Sequence, residues 1–382
     1  MKILLVSEFF PSSASADITG GVEASVFYMA KYLALKHEVT ILCSHTKNSK
    51  KVDHFNGYHV IRTGPIRSPS SDSNIARLRF VISAIKIGTS INADVIMGTN
   101  FSNHLIAYYI GKKRNIPIVL WTPDVWKGEW TKNAGIFGGL YGTFIERFNL
   151  SHQDAHYIAI STTVKKKMLA AGVPSHLIDV VHCGVDLATI KKITSTKYTL
   201  PSLVTVARLV PYKKVETILY ALPIIQKKYP NVQLKIIGQG PDEKKLKRLA
   251  RDLNLNKSCI FEGHVTSHID VLRNIKSADV FCFASRTEGF GIVILEAMAC
   301  SIPFVIADTP VHREVTGSKG GEFFTTGDAH DLADKVIRLL NSKKKVAKMK
   351  KEGRKWVKNF DWSIQALKIE TVFQKAVKKK SL

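Results

Sequence analysis

The sequence predicts an α/β protein of two facing, Rossmann-like domains, each a doubly wound parallel β-sheet, with a cleft between the domains. Apolar runs of strand length alternate with segments of helical length and period almost throughout the chain. Continuous apolar strands that alternate with helices are typical of parallel sheets covered on both faces. The 382 residues also exceed one ordinary hydrophobic core, since single domains usually hold about 100–200 residues.

The predicted strands are short apolar runs that fall into two groups along the chain. The first group covers residues 3–6, 39–43, 94–97, 116–120 and 157–160. The second group covers residues 203–207, 232–237, 259–261, 280–284 and 304–306. Apolar residues at helical spacing predict helices between them, for example over residues 22–35, 214–228, 242–253 and 328–340. So many strands suit two sheets better than one.

A polar segment between residues 184 and 201 separates the two groups of strands. Residues 191–197 are prone to turns and lack an apolar period, as in a linker. The sequence therefore predicts an N-terminal domain over residues 1–190, a second domain over 198–362 and a final segment over 363–382. Ligands of doubly wound sheets bind beyond the carboxyl ends of the strands, so the predicted site lies in the cleft.

The composition is that of a globular protein, with 45% hydrophobic and 23% charged residues. No run of 18 apolar residues occurs, so no membrane-spanning helix is expected. The amino-terminal residues 1–8 suit a buried strand rather than a signal peptide. The cysteines at 43, 183, 259, 282 and 300 are scattered and form no C-x-x-C. We expect a cytoplasmic protein with buried free thiols and no structural zinc.

The formal net charge of +25 is unusual, and lysine dominates it. Lysines gather in residues 343–358 and again in residues 375–380. Nucleic acid and an anionic bilayer would both suit such a surface, and a lysine-rich surface that binds nothing is the alternative. Of the two partners we expect the membrane, reached peripherally at its inner face. Adhesion to anionic vesicles should then weaken as salt rises.

The stretch from residue 286 to 300 carries two glutamates that predict a ligand site. Glu288 lies in a glycine-flanked turn after an apolar strand, and Glu296 lies inside an apolar helix, where an unpaired carboxylate is costly. Gly289 and Gly291 let a ligand approach the backbone at the helix start, where free N–H groups favour a phosphate. Carboxylates beside a phosphate suit sugar hydroxyls, so the pattern predicts a sugar-nucleotide site. A plain strand-to-helix turn is the alternative.

This stretch resembles the E-x7-E element of the retaining glycosyltransferases of family 4 (glycosyl transferases group 1), which have the GT-B fold. The resemblance implies that Glu288 and the backbone amides of Gly289, Phe290 and Gly291 hold the donor sugar and its phosphates. It further implies that Glu296 binds the ribose hydroxyls of the nucleotide.

Two of the three basic residues in the segment A-R-L-V-P-Y-K-K, at the end of the predicted strand 203–207, are candidate phosphate ligands. Arg208 offers a planar fork and Lys213 a point charge, which together can neutralise a diphosphate. The segment resembles the family's G-R-L-x-x-x-K-G element, and the resemblance implies that both cations bind the leaving diphosphate. Ala207 and Lys214 replace the family's glycines, which removes neither cation. A pair of solvated surface cations is the alternative.

Two further turns lie at strand ends. Gly238 and Gly240 follow strand 232–237, and the resemblance implies that they border the nucleotide, although a tight strand-to-helix turn explains them equally. His264 and Val265 follow the next strand, at the place where the family's backbone groups meet the base. Backbone contacts do not identify a base, so the choice among UDP, GDP and ADP stays open.

Gly20 and Gly21 end a loop rich in Ser and Ala that begins at Pro11, and a helix follows at once. Glycines at a helix start permit a phosphate to approach. The resemblance implies that this loop faces the donor diphosphate across the cleft. A flexible loop that binds no ligand is the alternative.

The residues after strand 116–120 depart from the family. Pro123 stands where the family often shows a His that is thought to contact the donor sugar or assist at the reacting centre. Retention needs no protein nucleophile if the departing phosphate takes the acceptor's proton on the same face. Asp124 remains at the strand end, and we expect it to orient the acceptor. A helix N-cap is the alternative for this carboxylate.

Basic and apolar residues together mark the expected acceptor side. Residues 75–91 carry Leu78, Ile82 and Ile85 at helical spacing, with arginine and lysine alongside. A second, aromatic-rich stretch contains Trp126, Trp130, Ile136, Phe137, Tyr141, Phe144 and Phe148, with Lys127, Lys132 and Arg147 between them. Such mixtures suit a membrane surface and a lipid-linked acceptor. Core-facing helices are the alternative.

The resemblance covers nearly the whole chain and ends at residues 360–363, F-D-W-S, like the family's F-x-W signature before the last helix. In GT-B proteins that helix packs on the N-terminal domain, which we expect of residues 363–382. We expect a retaining hexosyltransferase that moves a sugar from a nucleoside-diphosphate donor to a hydroxyl of a lipid-linked glycan or glycolipid, without metal or cofactor. The alternatives are a sugar-nucleotide epimerase or phosphorylase of the same fold, and a non-enzymatic protein that binds membrane or nucleic acid. Arg208, Lys213 and the glutamate pair favour transfer, so nucleic acid is not the expected partner.

Overall fold

A computed structural model describes residues 1–11, 20–47, 49–55, 57–68, 73–126 and 128–380, with the backbone alone for residues 132–134 and 137. The chain divides into two compact units. Unit 1 comprises Met1–Gly184 and Trp362–Leu382, and unit 2 comprises Val185–Asp361. Trp362, which the sequence placed in the second domain, therefore belongs to unit 1, and residues 185–190, which the sequence placed in the N-terminal domain, belong to unit 2. The predicted linker 191–197 also begins inside a helix rather than in irregular chain, because helix Leu187–Lys192 reaches into it.

Unit 1 is built on an eight-stranded sheet. Its strands are Lys2–Val6 (β1), Glu38–Thr46 (β2), Val52–Phe55 (β3), Tyr58–Arg67 (β4), Val95–Gly98 (β5), Ile118–Thr122 (β6), His156–Ala159 (β7) and Ile178–Val180 (β8). They lie in the order β3-β4-β2-β1-β5-β6-β7-β8. All neighbours are parallel except the pair β3 and β4. The connecting helices are Gly21–Leu33 (α1), Asn74–Gly88 (α2), Phe101–Arg114 (α3), Trp130–Leu150 (α4) and Thr162–Ala170 (α5).

Unit 2 is built on a six-stranded sheet in which every pair is parallel. Its helices are Leu187–Lys192 (α6), Val215–Gln226 (α7), Glu243–Asp252 (α8), His268–Ser277 (α9), Ile292–Ala299 (α10), Pro310–Thr316 (α11), Ala329–Leu340 (α12) and Lys343–Val357 (α13). Its strands are Ser202–Val206 (β9), Gln233–Ile237 (β10), Cys259–Gly263 (β11), Val280–Phe283 (β12), Phe304–Ala307 (β13) and Gly321–Phe324 (β14). The order β11-β10-β9-β12-β13-β14 reverses direction at β9, so β9 and β12 flank the switch point.

The two sheets confirm the prediction of two doubly wound parallel domains. Central strands such as β5 and β12 are buried along their whole length, because helices cover both faces, and this explains their continuous apolar sequences. Strand β4 was missed because it buries two arginines as well as the apolar Tyr58 and Val60. Its Arg62 pairs with Asp53, and its Arg67 donates to Glu8 Oε1 at 2.7 Å.

The last helix, Trp362–Lys380 (α14), packs within unit 1 against α1 and strands β5 to β7. Trp362 is buried at its start, and its ring stacks on Tyr28 with centroids 6.3 Å apart. An apolar stripe including Ile369 and Phe373 follows along the same helix. These buried side chains attach the carboxyl-terminal segment to the unit that contains the first half of the chain.

The prediction of buried free thiols is confirmed, because all five cysteines are buried and unpaired. Burial raises the pKa of each thiol to about 12, which makes the thiols unreactive near neutral pH. None of the helices in the described ranges is long and apolar enough to cross a bilayer.

Candidate functional site

The loops that follow β9 and β12 meet at the switch point of unit 2. They bring Lys213 and Glu288, which are 75 residues apart in sequence, into contact, and Lys213 Nζ donates a hydrogen bond to Glu288 Oε1. The two side chains are 15% and 12% exposed. A charge-assisted pair this far out of water is stronger than a surface pair. The structure thus joins two residues that the sequence assigned to one site.

The backbone of its loop and two aromatic rings position the Lys213 side chain. The loop after β9 ends in a 3-10 turn over Pro211–Lys213, and the Arg286 backbone N–H donates to Tyr212 O at 2.9 Å, which ties this loop to the one after β12. Lys213 Nζ also lies 5.5 Å from the ring centroid of Tyr212 and 5.4 Å from that of Phe283. These distances allow cation–π attraction. The ammonium group is therefore held between two rings and one carboxylate.

Lys214 stands where the glycosyltransferases that this chain resembles have a glycine, and Arg208 is the other predicted phosphate ligand of this segment. Lys214 adopts φ +52° and ψ +37°, the left-handed conformation that glycine takes without steric cost. This explains why a glycine suits the position. The Lys214 Nζ pairs with Glu216 Oε1 at 3.2 Å. Arg208 lies five residues before Lys213 and has an exposed side chain. The two predicted cations thus follow the same strand, one enclosed and one in solvent.

The turn from Glu288 to Gly291 leads directly into α10. Gly291 has φ +90°, a conformation that favours glycine, and it immediately precedes the helix. Phe290 is 1% exposed and packs its ring 6.2 Å from that of Phe360. Its side chain therefore anchors the turn in the core, and only its backbone can serve a ligand. The first N–H groups of α10 lack partners within the helix, which favours an anion at this end.

Glu296 has the partner that the sequence argument required. It is 7% exposed in the second turn of α10, and its Oε1 lies 3.0 Å from His268 Nε2 at the start of α9. Burial lowers the pKa of His268, but attraction and hydrogen bonding to the Glu296 carboxylate outweigh it, so the net shift is upward. His268 was missed because no local pattern links it to a carboxylate on another helix.

His312 is a second histidine that the sequence argument missed. It is fully buried near the start of α11, and its Nδ1 donates to Ala307 O at 2.7 Å. Burial lowers its pKa, so the ring is neutral near pH 7, and an Nδ1–H tautomer leaves Nε2 as an acceptor. That Nε2 has no hydrogen-bond partner among the described residues. Glu288 and Lys213 are close enough to act on its titration.

Gly238 and Gly240 are required by packing. A Cβ on Gly238 would lie 2.0 Å from Ala207 O, and a Cβ on Gly240 would lie 2.2 Å from Leu209 O. Gly238 also has φ +130°. The turn therefore fits against the backbone of the segment that carries Arg208. The tight-turn alternative accounts for both glycines, and their contact with a nucleotide stays a prediction.

His264 and Val265 lie at the end of β11, the edge strand of the sheet. His264 is exposed and Val265 is half-buried. The backbone N–H of Gly238 donates to Gly263 O at 2.8 Å, which joins this strand end to the preceding turn. The two residues are thus separated from the Lys213–Glu288 pair by the width of strand β10.

The remaining predicted residues lie in unit 1. Gly20 is the N-cap of α1 and Gly21 its first residue, and both are exposed. Among the described residues, no atom lies within 4 Å of a Cβ built on Gly20. Residues 12–19 of the predicted Ser- and Ala-rich loop lie outside the described residues.

Asp124 lies two residues after β6 and accepts three hydrogen bonds from the described residues. The donors are the Val125 N–H at 2.8 Å, Lys167 Nζ at 2.6 Å and Trp126 Nε1 at 3.0 Å. The N-cap of the next helix, α4, is Glu129, so the N-cap alternative for Asp124 is wrong. Its carboxylate is instead held by the Lys167 ammonium and by the indole of Trp126.

A pocket of about 220 Å³ lies beside Asp124 within unit 1. It is lined by Asn100, Phe101, His104, Thr122, Pro123, Asp124, Val125, Trp126, Trp130, Glu146, Asn149 and Leu150. Burial lowers the pKa of His104 to about 4 and raises that of Glu146. The pocket therefore presents aromatic faces, a neutral His and two carboxylates, a mixture able to stack on and hydrogen-bond a polyhydroxylated ring.

Nowhere in the described ranges do three or more His, Cys, Asp or Glu side chains gather as a metal ion would require. The expectation of a reaction without metal stays a prediction.

Two family models match this chain. The model described as "Glycosyltransferase Family 4" matches residues 19–189, and the model described as "Glycosyl transferases group 1" matches residues 188–356. The two matches meet close to the division between unit 1 and unit 2. The second match contains Arg208, Lys213, Glu288 and Glu296.

Curated relatives match about half of the chain. This chain is 31% identical over 195 residues to the GDP-mannose-dependent monoacylated alpha-(1-6)-phosphatidylinositol monomannoside mannosyltransferase of Corynebacterium glutamicum. The match covers 49% of this chain and 50% of the relative. The chain is 31% identical over 178 residues to the GDP-mannose-dependent alpha-(1-6)-phosphatidylinositol monomannoside mannosyltransferase of Mycolicibacterium smegmatis, covering 44% and 46%. The match thus spans about half the length of these relatives.

Solved structures match the whole chain in fold. Sucrose-phosphate synthase of Thermosynechococcus elongatus superposes with a TM-score of 0.81 at 20% identity, covering 98% of each chain. HepE of Anabaena, in complex with UDP-glucose, superposes with a TM-score of 0.73 at 18% identity, covering 100% of this chain and 99% of that one. At these identities the similarity concerns the fold alone.

Proposed function

This chain belongs to family 4 of the glycosyltransferases, which have the GT-B fold, and we propose that it is a retaining hexosyltransferase. In this proposal it moves a sugar from a nucleoside-diphosphate donor to a hydroxyl of a lipid-linked glycan or glycolipid. The observation that carries the proposal is the Lys213–Glu288 pair at the switch point of unit 2, beside the amino-terminal end of α10. It combines a cation, a carboxylate and the amino-terminal end of a helix at one sheet edge.

These groups suit the charges that develop during transfer. As the bond between the sugar C1 and the diphosphate oxygen breaks, negative charge grows on the diphosphate, and Lys213, Arg208 and the amides of Gly289 to Gly291 would stabilise it. A diphosphate bound by Lys213 competes with Glu288 for the ammonium group. The Glu288 carboxylate is then available to hydroxyls of the donor sugar.

Retention follows if the acceptor attacks from the face that the diphosphate leaves. The acceptor oxygen bonds to C1, the bond from C1 to the diphosphate breaks, and the acceptor proton passes to a phosphate oxygen of the leaving group. Every atom of this step belongs to the two substrates. The chain therefore needs no nucleophile, which is compatible with Pro123 at the place where the family often has a histidine.

The nucleotide would extend from this pair across unit 2. The Glu296 carboxylate, oriented by His268, is proposed to accept the ribose hydroxyls, and the backbone at His264 and Val265 to meet the base. The turn at Gly238 and Gly240 would border the nucleotide. In unit 1, the start of α1 at Gly20 and Gly21 is proposed to receive a phosphate of the donor.

The pocket beside Asp124 is proposed to hold the acceptor. Its aromatic walls and carboxylates suit a sugar or cyclitol ring, and Asp124 would orient the attacking hydroxyl. The similarity to enzymes named for phosphatidylinositol mannosides supports an acceptor on a membrane lipid and makes GDP-mannose the first donor to test. The reaction would then take place at the cytoplasmic face of the membrane.

A thermal-shift panel of UDP, GDP, ADP and their sugars tests the donor site. One base should raise the unfolding temperature, because a ligand at 100 times its Kd stabilises by about 2.7 kcal/mol. Lys213→Ala and Glu296→Gln should reduce that shift, and the exposed, distant Lys344→Ala should not. No shift with any nucleotide at millimolar concentration would refute the donor assignment. Anomeric analysis of the product by NMR then tests retention, and an inverted product refutes it.

A further inference from the structure

Helix α4 is a tight hairpin rather than one straight helix. Gly135 interrupts it with φ +69° and ψ −178°, a combination that strongly favours glycine. A Cβ on Gly139 would lie 2.6 Å from Thr131 Cα, and one on Gly142 would lie 2.4 Å from the Trp130 ring. Eight residues of straight helix span about 12 Å. The chain therefore folds back at Gly135, and the two glycines allow its legs to touch.

The second leg of this hairpin carries large apolar side chains in solvent. Ile136, Leu140 and Phe144 recur every four residues and are 72%, 63% and 68% exposed, and Tyr141 beside them is 54% exposed. Positions four apart lie on one face of a helix. Soluble proteins expose such residues singly, whereas a contiguous row marks a binding surface. The core-facing alternative is wrong for these residues; Lys132 and Phe137 lie outside the described side chains, and Lys127 lies outside the described residues.

Helix α2 also carries apolar side chains in solvent. Its Ile75, Leu78 and Ile82 are 68%, 60% and 61% exposed. Helix α2 contacts α3, and α3 contacts α4. The connections β4–α2–β5, β5–α3–β6 and β6–α4–β7 all move in the same direction across the sheet. Right-handed crossovers therefore place α2, α3 and α4 on one face of the sheet. We call the exposed apolar residues of α2 and α4 the hairpin surface.

The charge of helices α2, α3 and α4 indicates which kind of partner the hairpin surface binds. Their basic residues are Arg77, Arg79, Lys86, Lys112, Lys113, Arg114, Lys132 and Arg147, and their single acidic residue is Glu146. Glu146 faces the pocket beside Asp124 rather than open solvent. Exposed apolar side chains among cations suit an anionic bilayer. In a dimer through this surface, the cations of the two copies would face and repel each other, which disfavours such a dimer.

We propose that the α4 hairpin inserts into the headgroup region of an anionic bilayer, with α2 and α3 seated on the lipid phosphates. This inference deepens the proposed function and rests on it for its purpose. Trp130, Glu146 and Asn149 belong to α4 and also line the pocket. Insertion of the hairpin would therefore hold the acceptor pocket near the headgroups, where a lipid-linked acceptor presents its hydroxyl.

A site-specific fluorescence experiment tests insertion. The native cysteines are buried with pKa values of about 12, so an environment-sensitive label on the full chain should react only at an introduced thiol. Phe144→Cys places it on the hairpin, and Leu367→Cys, at an apolar residue of α14 that is 48% exposed, is the matched control. Phosphatidylglycerol vesicles should shift the emission at position 144 to the blue and leave position 367 unchanged. Vesicle binding without a shift at 144 overturns the proposal.

Vesicle co-sedimentation separates the hairpin from the general positive charge. At 50 mM salt the chain should sediment with phosphatidylglycerol vesicles, and a fraction should persist at 500 mM, because apolar contacts are not screened. Ile136→Ser, Leu140→Ser and Phe144→Ser should each weaken the salt-resistant binding about tenfold, as expected for partial burial of one large apolar side chain. Replacing the exposed lysines 344, 351 and 355 of α13 by Ala should reduce only the low-salt binding. A chain that stays in the supernatant at 50 mM salt overturns the proposal.

The remaining outcomes are also decisive. In sedimentation velocity without lipid, the unmodified chain should be a monomer. A dimer that the serine substitutions abolish would instead assign the hairpin surface to self-association. Duplex DNA should not displace the protein from vesicles at high salt, and displacement there would assign the surface to nucleic acid. The serine variants should keep the nucleotide-induced thermal shift. A missing shift in the unmodified chain would refute the donor site while leaving the membrane result intact.

Discussion

Exchanging the charges of the Lys213–Glu288 pair separates a structural role from a role in catalysis. Lys213→Ala and Glu288→Ala each remove one partner of an ion pair whose side chains are 15% and 12% exposed. The remaining charge is then largely out of water without a counter-charge. We expect either substitution to lower the free energy of unfolding by roughly 1–3 kcal/mol. In a unit of this size each kcal/mol lowers the Tm by about 2–4 °C, so the fold should survive.

Activity should fall much further than stability. A charge-assisted contact to the transferring group is worth about 1.5–3 kcal/mol, and each 1.36 kcal/mol is a factor of ten in rate. The expected loss in kcat/KM is therefore roughly ten- to hundredfold for Lys213→Ala and for Glu288→Ala, measured with the donor that the thermal-shift panel identifies.

The double exchange Lys213→Glu with Glu288→Lys is the decisive variant. It restores an ion pair between the two loops, so most of the lost unfolding free energy should return. It also places a carboxylate where the diphosphate would meet Lys213, so the rate should stay as low as in the single variants. Initial rates and thermal unfolding of all four proteins give both quantities. Wild-type rates in a single variant, or recovery of rate together with stability in the exchange, would refute the reasoning.

Three other substitutions probe the rest of the donor site. Glu296→Ala should raise the donor KM more than it lowers kcat, since its proposed partner is the ribose and not the reacting centre; an unchanged KM would contradict this. Arg208→Ala should lower kcat/KM by about tenfold or more, and Arg208→Lys should recover only part of it because the planar fork is lost; full recovery would contradict bidentate binding. The upward pKa shift of His268 from its ordinary value of 6.5 means that folding favours the protonated ring. The Tm advantage of the wild type over His268→Gln should be largest below pH 6.5 and shrink as the pH rises further, and an advantage that grows with pH would contradict the assignment.

Local sequence signals were enough for the architecture and for most strands. Residues 280–284 and 304–306 were recognised because a strand covered on both faces must be apolar throughout. The turn from Glu288 through Gly291 to Glu296 was recognised because all its parts lie within one strand-to-helix connection. Strand β4 escaped because its buried Arg62 and Arg67 are neutralised by residues elsewhere in the chain, which periodicity does not report.

The pairing of side chains depended on the order of strands in space. Strands β10 and β11 separate β9 from β12 along the chain, yet β9 and β12 are neighbours in the sheet, and this adjacency brings Lys213 to Glu288. The contact of Glu296 with His268 likewise depends on the packing of α10 against α9. Hydrophobic spacing tells which face of an element is buried, but two elements meet only through the topology of the whole sheet. For the same reason the α4 hairpin, whose apolar spacing equally suits a core helix, is recognised as exposed only once its neighbours are in place.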